Sequence, residues 1–133
     1  MIGIDSNVLL RWIIDDGISL HQSRQAAEAM ENAVVHVSVV TLVEVLWVLR
    51  SRYGRSTQAR VDFVETLLGT ANVVVQHAAA VRSALNDSST YGGDLSDHLL
   101  ATLNEEAGCD HTLTFDRKAG RSTKFKRIPE KDP

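Results

Sequence analysis

Asp5, Glu44, Asp97 and Asp116 lie far apart along the 133-residue chain, yet each falls beside the end of a short apolar run or in the opening of a helical one. Asp5 closes Ile2-Gly3-Ile4, and Asp116 follows Leu113-Thr114-Phe115. Asp94 precedes Asp97 by three residues and shares a helix face with it. Carboxylates gathered in one cleft repel one another and stay ionised only beside compensating cations. Hard divalent ions with oxygen donors are the natural answer, and Mg²⁺ or Mn²⁺ takes carboxylates plus waters. Such ions lower the pKa of a bound water and stabilise the charge of an in-line phosphodiester displacement. That chemistry needs neither a histidine base nor a lysine nucleophile. None of the five histidines sits in a pattern that proposes one.

The elements that must position these acids follow from hydrophobic spacing. Residues 2–5 read as a short buried strand. Ser6 or Asn7 is expected to cap a helix from near Val8, with Leu9, Leu10 and Ile13 inward. Asp15-Asp16-Gly17 breaks that pattern. Residues 21–32 place Ala26, Ala27 and Met30 at helical spacing, and 34–38 read as a second strand. From Thr41 to Tyr53 the apolar positions Leu42, Val45, Leu46 and Leu49 predict a helix stopped at Gly54. Val61, Val64, Leu67 and Leu68 predict another over 57–68, closed by Gly69. A third strand is expected over 72–76 and a helix over about 78–87. A loop over 88–93 then delivers Asp94 and Asp97 to a helix running to about Ala107. Residues 112–114 form the fourth strand, and a short fifth falls near 124–128.

Short apolar strands alternating with helices argue for an α/β fold with a central parallel sheet of four to five strands. The expectation is one three-layer α/β/α domain over residues 1–129, followed by a polar tail over 130–133. Ligands of such sheets collect outside the carboxyl ends of the strands. The four acids are expected to gather there.

Composition sets outer bounds. Hydrophobic residues make up 44% and charged residues 23%, as in ordinary globular proteins. No apolar run approaches the roughly 20 residues that span a bilayer, so no membrane role is expected. The first residues lack a basic segment and an apolar signal core, which makes a cytoplasmic address the default. Cys109 is the single cysteine, which excludes an internal disulfide and a thiolate zinc site; it reads as a plain buried residue at a strand start. The net charge of −3 runs against a nucleic-acid partner. Its distribution softens that objection. Arg117, Lys118, Arg121, Lys124, Lys126 and Arg127 crowd the C-terminal end, and Arg50, Arg52, Arg55 and Arg60 form a second group.

Each acid also has a bland explanation. Asp5 can cap the helix that follows it. Glu44 completes Thr41-x-x-Glu44, a capping box. Asp94 and Asp97 can cap their helix and complement its dipole. Asp116 can be a turn residue. Four independent caps at one sheet edge are a less economical account than one shared site.

The blocks Ile2-Gly3-Ile4-Asp5-Ser6-Asn7, Ser38-Val39-Val40-Thr41-Leu42-Val43-Glu44, Gly93-Asp94-Leu95-Ser96-Asp97-His98-Leu99-Leu100-Ala101 and Leu113-Thr114-Phe115-Asp116 stand in this order. Together they resemble the pattern of the PIN-domain superfamily over nearly the whole chain. The resemblance implies a metal-dependent nuclease. It implies that Asp5, Glu44, Asp97 and Asp116 are catalytic metal-binding acids, with Asp94 an additional candidate. It also makes Asn7 and Thr114 supports that orient carboxylates or a water. Small size and the Thr-Phe-Asp block resemble the VapC-type toxin subgroup. That subgroup implies an endoribonuclease acting on tRNA or rRNA, a homodimer, and a cognate antitoxin. The helix over 41–49, with Leu46 and Trp47, is expected first to pack in the core, with a contact for such partners as the alternative. His98 departs from the family, which usually has a small residue there; it is expected to pack or face solvent, with contact to substrate as the alternative.

Three other readings compete. Haloacid-dehalogenase-like phosphatases need a second Asp where Asn7 stands. A PIN module without metal conflicts with retention of all four acids. A PIN nuclease for RNA maturation, outside any toxin pair, fits the same residues.

Overall fold

The computed structural model describes residues 1–14 and 20–131. The expected break at Asp15-Asp16-Gly17 therefore lies outside the described residues. The chain divides into two compact units, Met1–His77 and Ala78–Pro133.

The first unit holds a three-stranded sheet, β1 (Ile2–Gly3), β2 (Val35–Val37) and β3 (Val73–Val75), with β2 in the middle and both pairings parallel. Its helices are α1 (Ser6–Ile13), α2 (Leu20–Glu31), α3 (Val39–Ser51) and α4 (Thr57–Leu68). Parallel neighbours need a crossover between them. Here α1 and α2 connect β1 to β2, and α3 and α4 connect β2 to β3. Strand side chains alternate across the sheet. Val35, Val37, Val73 and Val75 are accordingly buried, while His36 is half-buried and Val74 exposed. Leu42, Val45, Leu46 and Leu49 of α3 are buried as their spacing predicts, as are Val64 and Leu67 of α4. In α1 the inward residues are Leu9 and Leu10, with Ile13 only half-buried; in α2, Ala27 is exposed beside buried Ala26 and Met30.

Two helix starts differ from expectation. Asp5, not Ser6 or Asn7, caps α1: its carboxylate accepts from Val8 N–H at 3.0 Å. Ser38, not Thr41, caps α3 through an Oγ that accepts from Thr41 N–H at 3.1 Å. The earlier residue wins both times because its extended backbone puts its oxygen over the first turn.

The second unit holds a helical hairpin, α5 (Ala78–Tyr91) and α6 (Leu95–Glu106), and a parallel strand pair, β4 (Thr112–Thr114) and β5 (Phe125–Arg127). A 3₁₀ turn over Ala119–Arg121 joins the strands. The five strands among the described residues are parallel to their partners, as expected, and are hydrogen-bonded as a group of three and a group of two. Helix α5 runs four residues beyond the expected 87, so the loop reduces to Gly92 and Gly93. Its polar end, Asn86 to Thr90, finds partners beyond its own helix: Lys124 Nζ, just before β5, donates to Asp87 at 2.6 Å as well as to Ser83 and Thr102 at 3.0 Å, and Ser88 Oγ donates to the Gly93 carbonyl at 3.3 Å. Cys109 is exposed rather than buried. Helix α6 closes through Gly108 at φ 98°, and β4 begins only at Thr112, so Cys109 stays in the connection.

Candidate functional site

Asp5 and Glu44 line one cleft of ≈ 420 Å³ in the first unit, with Asn7, Ser6, Leu10, Val48 and Arg52. Three local features hold its walls. Helix α1 starts at the Asp5 cap, which places Asn7 in its first turn. The start of α3 is tied to the residue that follows β1 by Thr41 Oγ1, which donates to the Ile4 carbonyl at 3.4 Å, one residue before Asp5. It is tied to the end of β3 by Val39 N–H, which donates to Gln76 Oε1 at 3.0 Å. Glu44 then stands in the second turn of α3 on the exposed surface.

The cap at Ser38 removes the bland account of Glu44. A capping-box glutamate sits three residues after the cap. Glu44 sits six residues after Ser38, so its carboxylate is too far along the helix to reach the cap amide. Asp5 keeps its bland role, since it does cap α1. A carboxylate offers about four lone-pair sites, so one cap bond leaves capacity for a cation.

Asp94 and Asp97 open α6 in the second unit. Asp94 is its N-cap, and Asp94 Oδ1 accepts from Ser96 N–H at 3.1 Å. Asp97 lies in the first turn, and its N–H donates to the Asp94 carbonyl at 3.1 Å. Both are half-buried. Asp116 is exposed beyond β4, and its Oδ1 accepts from Lys118 N–H at 2.7 Å, closing the turn ahead of the 3₁₀ segment. Thr114 Oγ1 accepts from Asp116 N–H at 3.0 Å, which fixes the backbone that carries this acid.

The acids therefore come as Asp5 with Glu44 in one unit and Asp94 with Asp97, plus Asp116, in the other. Among the described residues, no three His, Cys, Asp or Glu side chains converge to hold a metal ion. The donor chemistry nonetheless fits a hard cation. Mg²⁺ is commonly held by one or two carboxylates and several waters, and each unit supplies at least that many.

Two residues visible in the sequence take roles that their spacing did not give them. Arg52, at the end of α3, brings a cation to the Asp5–Glu44 cleft. Thr41 is a tether, not a cap. The basic groups also shrink. Arg60 is buried and donates to the Arg55 carbonyl at 2.7 Å, and Lys124 is held by Asp87. Arg117, Lys118, Arg121, Lys126 and Arg127 remain exposed. No helix among the described residues is long and apolar enough to cross a membrane.

No curated protein matches the chain. The profile of one family, described as the PIN domain, matches residues 2–130, nearly the whole length.

Proposed function

Because the chain belongs to the PIN domain family, whose members are generally metal-dependent nucleases, we propose that it is a Mg²⁺- or Mn²⁺-dependent endoribonuclease and the toxin of a toxin–antitoxin pair. The observation that carries the nuclease reading is Glu44: an exposed carboxylate with no capping role, sharing a cleft with Asp5, Asn7 and Arg52.

Asp5, Glu44, Asp97 and Asp116 are the proposed cation-holding acids, with Asp94 as a further donor. A bound divalent ion would supply charge neutralisation at the phosphodiester and an acidified water. Asn7, which lines the same cleft, is the proposed support that orients a water or a carboxylate. Thr114 holds the Asp116 backbone. Arg52 adds a fixed positive charge for a phosphate oxygen. The exposed arginines and lysines over 117–127 supply sequence-independent contacts to an RNA backbone. Two divalent ions add four charges, which would turn the formal −3 into +1 and ease the approach of a polyanion.

The partner half of the proposal is supported by α3. Leu46 is buried and belongs to the core, but Val40 is 75% exposed and Trp47 67% exposed. With Val43 they form an i, i+3, i+7 stripe beside Glu44. Exposed apolar stripes of this kind mark protein contacts, here a second copy or an antitoxin close enough to cover the acid.

The test is cleavage of tRNA and rRNA by the purified protein. Cleavage should require Mg²⁺ or Mn²⁺, stop with excess chelator, and be lost in Asp97→Asn and Glu44→Gln at unchanged melting temperature. Full activity of either variant, or activity in chelator, contradicts the mechanism. Growth arrest on expression, relieved by a small protein encoded beside it, would support the toxin role; growth without arrest while cleavage persists points to an RNA-maturation nuclease.

A further inference from the structure

His98 is 1% exposed, inside the α5–α6 hairpin, with ring neighbours Tyr91 at 6.5 Å and Phe125 at 6.3 Å between centroids. Its Nε2 lies 2.6 Å from the Gly92 carbonyl oxygen, and its Nδ1 is buried without a hydrogen-bond partner. A carbonyl only accepts, so Nε2 carries the proton and Nδ1 is left as a bare acceptor.

A site that needed only volume would be better filled by leucine, which brings no orphaned nitrogen. What imidazole does here that leucine cannot is grip Gly92. That carbonyl belongs to a two-residue turn with φ of 73° at Gly92 and 88° at Gly93, a left-handed pair that glycine adopts at little cost. The same freedom leaves the turn soft unless something holds it. Two buried side chains do: His98 holds the Gly92 carbonyl, and Ser88 Oγ donates to the Gly93 carbonyl at 3.3 Å. The next residue is Asp94, and Asp97 follows within the first turn of α6.

We propose that His98 is a positioning residue: its Nε2–H clamps the Gly92–Gly93 turn and so fixes the carboxylates of Asp94 and Asp97 for a divalent cation. The last step rests on the cation reading above; the clamp itself does not. His98 acts from inside the hairpin, one residue after an acid, on the backbone that precedes that acid.

The tests separate the two parts. In the unmodified protein, ¹⁵N spectra of the imidazole should show the proton on Nε2; a proton on Nδ1 with Nε2 bare overturns the clamp. In His98→Leu, the amides of Gly92, Ser96 and Asp97 should exchange with solvent at least about tenfold faster than in the parent, because the turn opens locally. In His98→Gln, whose amide can reach the same carbonyl, exchange should return to within about threefold. Equal exchange in all three proteins overturns the clamp. Calorimetric Mn²⁺ affinity should fall about 10- to 100-fold in His98→Leu and recover in His98→Gln. Parent-like Mn²⁺ affinity in His98→Leu overturns the positioning role while leaving the cation reading intact. A parent protein that binds no Mn²⁺ overturns the cation reading, and exchange and tautomer still decide the clamp.

Discussion

Asp5 separates the two roles a single carboxylate can play. Its Oδ1 caps α1 through Val8 N–H at 3.0 Å, and the same side chain lines the cleft with Glu44. Asp5→Ala removes both roles, whereas Asp5→Asn keeps the cap, because asparagine caps about as well as aspartate. Loss of an N-cap costs about 1 kcal/mol. With an unfolding entropy of about 2.1 cal/mol/K per residue over a domain of this length, Asp5→Ala should lower the melting temperature by about 3–4 °C. Asp5→Asn sacrifices only the charge on the helix dipole, under about 1 kcal/mol at an exposed position. Its melting temperature should stay within about 2 °C of the parent. Cation affinity should respond differently. Supporting residues of metal sites cost about 10- to 100-fold when changed, so a direct ligand should cost at least that in both variants. Thermal melts and Mn²⁺ calorimetry on the three proteins form the assay. If Asp5→Asn binds Mn²⁺ as the parent does, Asp5 is a helix cap and nothing more.

Other predictions concern the surroundings. Ser38→Ala should cost about 1 kcal/mol in urea unfolding by stripping the cap of α3, and Ser38→Asp should restore it; an unchanged midpoint for Ser38→Ala would show the cap to be dispensable. Lys124→Met leaves the Asp87 carboxylate, whose side chain is 15% exposed, without its cation. That should cost about 2–4 kcal/mol, somewhat below the range for a fully buried pair. The double variant Lys124→Met with Asp87→Leu should recover much of it, and additive losses would contradict the pairing. Trp47→Glu should change stability by less than about 0.5 kcal/mol, since the side chain is exposed. It should abolish self-association in sedimentation runs, and an unchanged mass distribution would rule out the α3 stripe as a contact between copies.

Where sequence reasoning succeeded, one physical signal dominated. Leu42, Val45, Leu46 and Leu49 repeat at helical spacing, and no tertiary contact was needed to read them. Val64 and Leu67, with Gly69 as a stop, were legible for the same reason. The helix starts were less so. Asp5, Ser6 and Asn7 are all good caps, as are Ser38 and Thr41, and only backbone geometry chooses among them. The choice mattered, because it stripped Glu44 of its capping box. The end of α5 was hidden by Ser88, Ser89 and Thr90, which read as loop. Lys124 satisfies Asp87 from 37 residues away, and Ser88 turns inward to the Gly93 carbonyl. Charge counts misled for a related reason: Arg60 and Lys124 are consumed by internal bonds. His98 was visible only as a departure from the family pattern, since its partner is a backbone carbonyl that no residue identity announces.

A divalent ion bound to this protein should sit at the proposed acids. Paramagnetic broadening by substoichiometric Mn²⁺, read residue by residue in ¹⁵N-labelled protein, tests this most directly. Amides flanking Asp5, Glu44, Asp97 and Asp116 should disappear first, while those of α2 and α4 stay sharp. Broadening that starts elsewhere, or that spreads evenly over all exposed acids, would contradict the proposed cation-dependent chemistry.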